Sequence, residues 1–300
     1  MCQKPFPVSL ERMQKRNRTV VVLVAVAIAL TGLTGRARDL HADTRGSAGD
    51  GIGLKLLAES GFLGVVDHRI RFDDDDRSFL YHKEGGQDVL FPFTRFSLEL
   101  EIAERHTVIF LYQPLVLETR VDMPEPLSVG GEPFSGESLR LLYSFPFYRL
   151  SYLREIVGGP RLQVAAGASL QIRNANIEFE AQGRDEPNTS AQGFYRSAGI
   201  GPVPLLKVRA RYELPRNFWF GAEIDGIYAP VSYINGSDND TVGALLDASI
   251  RAGYSVTPVA DLFINTRYLG GGASNTDPDD YSVNWLNVVS LTLGAALEIR

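Results

Sequence analysis

Residues 206–214 read Leu-Lys-Val-Arg-Ala-Arg-Tyr-Glu-Leu. Leu206, Val208, Ala210, Tyr212 and Leu214 fall on one side of an extended chain, and Lys207, Arg209, Arg211 and Glu213 on the other, because successive side chains of a strand point to opposite faces. A helix would scatter those charges around its circumference. After Pro215-Arg216-Asn217 the alternation resumes, with Phe218, Phe220, Ala222, Ile224 and Tyr228 on one face and Glu223 and Asp225 on the other. The short link predicts a hairpin that brings the three cations within cross-strand reach of the two carboxylates.

The same period of two extends outward from this hairpin. Phe96, Leu98, Leu100 and Ile102 alternate with Ser97, Glu99 and Glu101; Asp247, Ser249 and Arg251, and then Asp261, Asn265 and Arg267, interleave with apolar residues. Strands are expected at 53–66, 94–103, 107–120, 137–150, 160–180, 203–214, 218–231, 242–256, 259–271 and 285–300, with Pro114 and Pro146 marking irregular pairing. Short links at 104–106, 151–159, 215–217 and 257–258 alternate with long polar ones at 67–93, 121–136, 181–202, 232–241 and 272–284. Gly270-Gly271-Gly272 reads as the end of the ninth strand. Both chain ends then fall on the short-turn side.

The 300 residues are 44% hydrophobic and 22% charged, within the globular range. After the apolar run 19–33 no stretch approaches the roughly 20 residues of a membrane helix, so a membrane crossing must be made by strands. Lys15, Arg16 and Arg18, the apolar run 20–30 and Leu40-His41-Ala42 form the pattern of a cleaved export signal over 1–42, with Met13 an alternative start and an uncleaved anchor the competing reading. Residues 43–52 then form a spacer and 53–300 the barrel. The single cysteine, Cys2, precedes the cleavage point, which leaves no disulfide, thiol nucleophile or lipid-anchor cysteine beyond it. Residues 1–42 hold seven Lys/Arg and two Asp/Glu, so the formal charge of −6 becomes −11 for the remainder, against a nucleic-acid partner.

These patterns predict an all-β fold, a closed antiparallel up-and-down transmembrane barrel of about ten strands. A sheet can enter hydrocarbon only when closed. Apolar side chains then look outward, and the lumen collects Lys207, Arg209, Arg211, Glu213, Glu223, Asp225, Asp247, Arg251 and Arg267, with Lys55, Glu59, Glu99, Glu101 and Asp261. A soluble periplasmic lipocalin-like barrel, binding an apolar ligand, would show the same alternation with the faces reversed. Tyr212, Phe218 and Phe220 at the short-turn end, and Tyr228, Tyr268 and Trp285 at the other, fit interfacial girdles.

Residues 292–299, Thr-Leu-Gly-Ala-Ala-Leu-Glu-Ile, resemble the C-terminal assembly signal of outer-membrane barrels, departing from it in ending Ile299-Arg300 without an aromatic residue. In pattern, residues 51–300 resemble the bacterial outer-membrane β-barrel class. That resemblance implies an outer-membrane location, contact with outer-membrane lipid and lipopolysaccharide, and insertion by the barrel-assembly machinery.

Facing charges in a narrow lumen must be paired, and they predict either a closed, ion-paired structural plug or a narrow small-solute pore. No catalytic set is legible. His68, His82 and His106 are the histidines beyond the signal, Asp67 and His68 are adjacent and so face opposite ways, and His82 has only a loop serine such as Ser78 nearby. A rim-active hydrolase acting on lipid A or peptide is the alternative. The loop carboxylates Asp73 to Asp76, Asp238, Asp240, Asp277, Asp279 and Asp280 could meet divalent cations but lack EF-hand spacing, and no metal or cofactor is expected.

Overall fold

The computed structural model describes residues 51–73, 77–103, 105–123, 126–134, 138–181, 194–230, 241–275 and 281–299. The signal segment, the spacer up to residue 50, and the carboxylates Asp74, Asp75, Asp76, Asp238, Asp240, Asp277, Asp279 and Asp280 lie outside the described residues.

Ten antiparallel strands form the wall. They are β1 (Ile52–Arg71), β2 (Leu90–Ile102), β3 (His106–Gln113, continuing as Val116–Asp122), β4 (Ser138–Ser144, continuing as Phe147–Gly158) and β5 (Leu162–Ala181). The second half comprises β6 (Phe194–Glu213), β7 (Phe218–Pro230), β8 (Thr241–Thr257), β9 (Ala260–Asn275) and β10 (Ser282–Ile299). Each pairs with its neighbour in the chain, and β10 pairs with β1, which closes the barrel. Following paired residues from Leu54 through Leu100, Val108, Tyr152, Ala168, Leu206, Gly226, Leu246, Gly270 and Asn287 returns to β1 at Asp67. The circuit climbs most of a strand, the stagger that a closed sheet of tilted strands requires.

The prolines act where expected. β3 is interrupted at Pro114-Leu115 and β4 at Phe145-Pro146, side by side, and Phe145 N–H bridges the gap to Leu115 O at 2.7 Å. Two ladders also stop early, β2 with β3 at Phe96 opposite Tyr112, and β6 with β7 at Leu206 opposite Gly226. The first gap is filled by the chain following β1, where Thr119 Oγ1 donates to Gly85 O and Gly86, at φ +65°, sits against Val121.

Four expectations need correction. Residues 151–158 are strand, not link, since Ser151 and Leu153 point in while Tyr152 and Arg154 point out; the charged Arg154-Glu155 pair imitates a turn. On the loop side the strands outrun their apolar pattern, so most of those links are shorter than the sequence suggests: β1 reaches Arg71, β5 reaches Ala181, β6 starts at Phe194 and β9 reaches Asn275. Outward positions there are charged, and Arg140 pairs with Glu118, Glu178 and Glu180. Gly270, Gly271 and Gly272 lie within β9, where a Cβ at Gly272 would collide with the backbone of β10.

The fourth correction concerns the lumen, whose ion-paired belt lies in the short-turn half. Above that, Leu63, Leu117, Leu139, Leu141, Phe147 and Phe179 form an apolar core. Phe79 and Tyr81, from the segment after β1, fold into it, and a small hairpin (Leu127–Val129 with Glu132–Phe134) adds Leu127, Val129 and Phe134. The links at 67–93 and 121–136, polar as a whole, each contribute a few buried apolar residues that cap the barrel.

Candidate functional site: an ion-paired belt across the lumen

The belt is assembled by parity. β6 turns Lys207, Arg209, Arg211 and Glu213 inward, β7 Glu223 and Asp225, β8 Asp247 and Arg251, and β9 Arg267, while Leu206, Val208, Ile224 and Ile250 stand exposed on the outside. At its centre Arg149 Nη1 lies 2.9 Å from Asp225 Oδ2 and 2.8 Å from Asp247 Oδ2, with all three side chains 1% exposed. Arg149 Nε also donates to Gln171 Oε1 at 3.0 Å. Arg267 pairs with Asp247 from β9, and Arg95 reaches Glu223 at 3.3 Å and Asp247 at 3.6 Å from β2.

Lys207 Nζ sits between Glu223 (2.8 Å) and Asp225 (2.7 Å). Arg209 makes a two-pronged contact with Glu99 at 2.7 and 2.8 Å and a further one with Glu223 at 2.9 Å. Arg251 pairs with Glu59 at 3.4 Å, and that carboxylate also accepts from Asn265 Nδ2 (2.6 Å) and Thr292 Oγ1 (3.0 Å). Nearer the short turns Arg211 bridges Asp261 (3.0 Å) and Glu213 (2.6 Å), and Lys55 lies 3.7 Å from Asp261.

Taking an ion out of water costs several kcal/mol, a penalty repaid only by close, multiply bonded partners. Arg95, Arg149 and Arg209 each meet two carboxylates from different strands, Lys207 meets two from β7, and Arg251 and Arg267 meet one each. A water-filled bore would leave its lining accessible; the burial of Arg95, Arg149, Asp225 and Asp247 shows a filled cross-section at this level.

Below the belt, Leu57, Trp219, Phe263 and Ala296 form a second apolar cluster. The Trp219 ring lies over Gly253 and the Phe263 ring over Gly294, positions where any Cβ would strike the aromatic ring. The Arg211 guanidinium stacks 4.1 Å from the centre of Trp219. A recess of about 70 Å³ remains at this end, lined by residues including Lys55, Arg211, Trp219 and Asp261.

Arg95 and Arg149 are central to the belt but absent from the sequence-derived set. Their signal is the inward parity of Phe93, Arg95 and Glu99, and of Phe147, Arg149 and Ser151, hidden by Pro92 and Pro146 close by. Among the described residues neither His68 nor His106 bonds a carboxylate, and His82 Nδ1 is buried without a hydrogen-bond partner. Buried His68 bonds Gln87 Oε1 through Nδ1 at 2.8 Å, stacks on Tyr81 at 4.2 Å and meets the edge of Tyr143, whereas Asp67 is exposed on the opposite face. Burial pushes the Tyr81 phenol well above its ordinary pKa and keeps it neutral. His106 bonds Tyr152 Oη at 2.7 Å on the exposed surface. Among the described residues no group of three or more His, Cys, Asp or Glu side chains is placed to hold a metal ion.

No protein-family model and no curated protein matches the chain. Similar solved structures include the outer membrane protease OmpT from Escherichia coli, at 11% identity and a TM-score of 0.48, covering 82% of this chain and 97% of that one. Ail, the attachment invasion locus protein of Yersinia pestis, is similar at 10% identity and a TM-score of 0.29, over 82% of this chain and 98% of that one. Neisserial surface protein A follows at 12% identity and 0.31, over 84% and 97%. The likeness is one of fold and carries no activity across.

Proposed function

We propose that this chain is an outer-membrane barrel with an occluded lumen, a membrane-embedded structural scaffold and not a pore. The observation that carries the reading is Arg149 clasped by Asp225 and Asp247 in the middle of the bore, shielded from water on every side. The membrane setting is supported by the closed sheet and by its outer surface. Phe62, Leu206, Ile224, Ile250, Leu291 and Leu293 are exposed around the wall while the charges are inside, the reverse of a water-soluble barrel. Tyr212, Phe218 and Tyr254 at one rim and Tyr228 and Tyr268 at the other suit the two interfaces. In that setting the wall meets outer-membrane lipid and lipopolysaccharide, and insertion falls to the barrel-assembly machinery.

The pore reading would need a wet path through two buried layers. The hydrolase reading would need a nucleophile or carboxylate at His68, whose neighbours are Gln87, Tyr81 and Tyr143. Purified protein reconstituted in planar bilayers tests the proposal: a flat current trace in concentrated KCl is expected, and reproducible unitary steps from the wild-type chain would overturn it.

A further inference from the structure

The ladder between β6 and β7 ends at Leu206 opposite Gly226, yet β6 continues to Phe194 and β7 to Pro230. The cause is in the sequence. Leu214 N–H bonds Phe218 O and Glu213 N–H bonds Arg161 O, so even-numbered residues of β6 aim their backbone at β7 and odd-numbered ones at β5. The next two positions that would donate to β7 are Pro204 and Pro202, and neither has an N–H. On β7 the even positions beyond Gly226 are Tyr228 and Pro230, so Tyr228 supplies the one remaining donor. Three of the four donors needed to zip this part of the wall are removed by proline, while the β5–β6 ladder runs on to Phe194. An edge left open inside a bilayer is costly because its N–H and C=O groups go unsatisfied; prolines lower that cost here by removing the donors.

The seam opens at the upper margin of the apolar belt. Leu206 and Tyr228 beside it are 75% and 77% exposed on the outer surface. Behind it the inward residues are Val203, Leu205, Ile227 and Leu245, and Val203, Ile227 and Leu245 are only half-buried. A Cβ placed on Gly201 would meet no atom of the described residues within 4 Å. Directly below, Lys207, Asp225 and Asp247 close the bore.

We infer that this seam is a lateral entry through which an acyl chain of an outer-leaflet lipid reaches an apolar site in the upper lumen. The occupant follows from place and chemistry. The outer side of the seam borders hydrocarbon, the inner side offers the aliphatic Val203, Leu205, Ile227 and Leu245 with Arg173 across the β5–β6 ladder from Gly201, and the ionic belt below bars passage through the bore. The inference rests on the membrane setting proposed above.

The test is photolabelling in vesicles of phospholipid carrying a mid-chain diazirine, with crosslinked residues mapped by mass spectrometry. Labelling of outward Leu206, Ile224 and Leu293 reports insertion itself, and its absence would overturn the membrane setting and the entry together. With insertion present, labels on inward Val203, Ile227 and Leu245 are expected, and labels confined to outward residues would overturn the entry alone. Gly201→Phe, which fills the open space, is expected to abolish inward labels and keep the outward ones. Pro202→Val with Pro204→Val returns two donors to the edge and is expected to reduce inward labelling. Inward labels that persist at wild-type levels in both variants would also overturn the proposal.

Discussion

Lys207 of β6 stands directly across the ladder from Asp225 of β7, its ammonium 2.7 Å from the carboxylate, with the two side chains 2% and 1% exposed. Ser169 Oγ donates to the other oxygen of Asp225 at 2.6 Å, and Arg149 supplies a second cation. This pair shows how the belt works: the hairpin sets the register, and side chains from the neighbouring strands β4 and β5 complete the site.

Breaking the pair should cost far more than removing it. Lys207→Met leaves Asp225 short of a partner in a site with little water and should destabilise the barrel by about 3–5 kcal/mol. Adding Asp225→Leu should recover much of that loss. Urea unfolding followed by the heat-dependent gel shift measures both, and equal stability of the single and double variants would contradict the pairing.

The lumen is closed twice, by the ionic belt and by the apolar cap above it. Arg95→Ser with Arg149→Ser should therefore remain silent in planar bilayers, and the same pair combined with Tyr81→Asp should pass current. Selectivity should favour cations, because Glu59, Glu99, Glu223, Asp225 and Asp247 then outnumber Lys207, Arg209, Arg251 and Arg267. Current from the arginine double variant alone would show that the cap does not seal.

Tyr81→Asp by itself should release the cap without unfolding the wall. The new carboxylate would replace a ring stacked on His68 and packed against Phe79, Tyr143 and Phe179, where water has little access to it. Hydrogen exchange should rise across residues 79–87 and stay low in the strands. Unchanged protection of that segment would count against its anchoring by Tyr81.

Gly253→Val should push against the Trp219 ring and cost about 1–3 kcal/mol. Trp219→Ala in the same chain should relieve the clash, which thermal melts of the three variants would show. Near-ultraviolet circular dichroism should report the displaced indole in the single variant, and an unchanged spectrum would mean that the ring does not lie over Gly253.

The belt should respond weakly to salt. Its central pairs are buried, so mobile ions cannot approach them as they do exposed charges. Urea midpoints measured at low and high NaCl should nearly coincide, and a large drop at high salt would point to a hydrated lumen.

Much of this barrel is legible along the chain wherever one face of a strand meets hydrocarbon. There the outward residues must be apolar and the inward ones need not be, so Leu206 to Leu214 and Phe218 to Tyr228 announce strand, face and hairpin at once. The pattern fades where that constraint lifts. Beyond the apolar belt Arg140, Glu178 and Glu180 face outward in water, so strand there resembles loop; in the upper lumen Leu139, Leu141 and Phe179 face inward, so the alternation loses its polar partner.

By itself the sequence determined the antiparallel strands, their hairpins and which residues share a face, because the period of two is a local property of extended backbone; that the hairpin charges take the inner face was decided by the folded barrel. Only the tertiary structure decided which charges meet. Arg149 lies 76 residues from Asp225, and nothing in either neighbourhood names the other; the stagger of ten tilted strands brings them to one height. The same holds for Tyr81 on His68 and for the unzipped edge at Pro202 and Pro204. Packing across a lumen depends on the register of every ladder around the ring, and that sum is not written in any one segment.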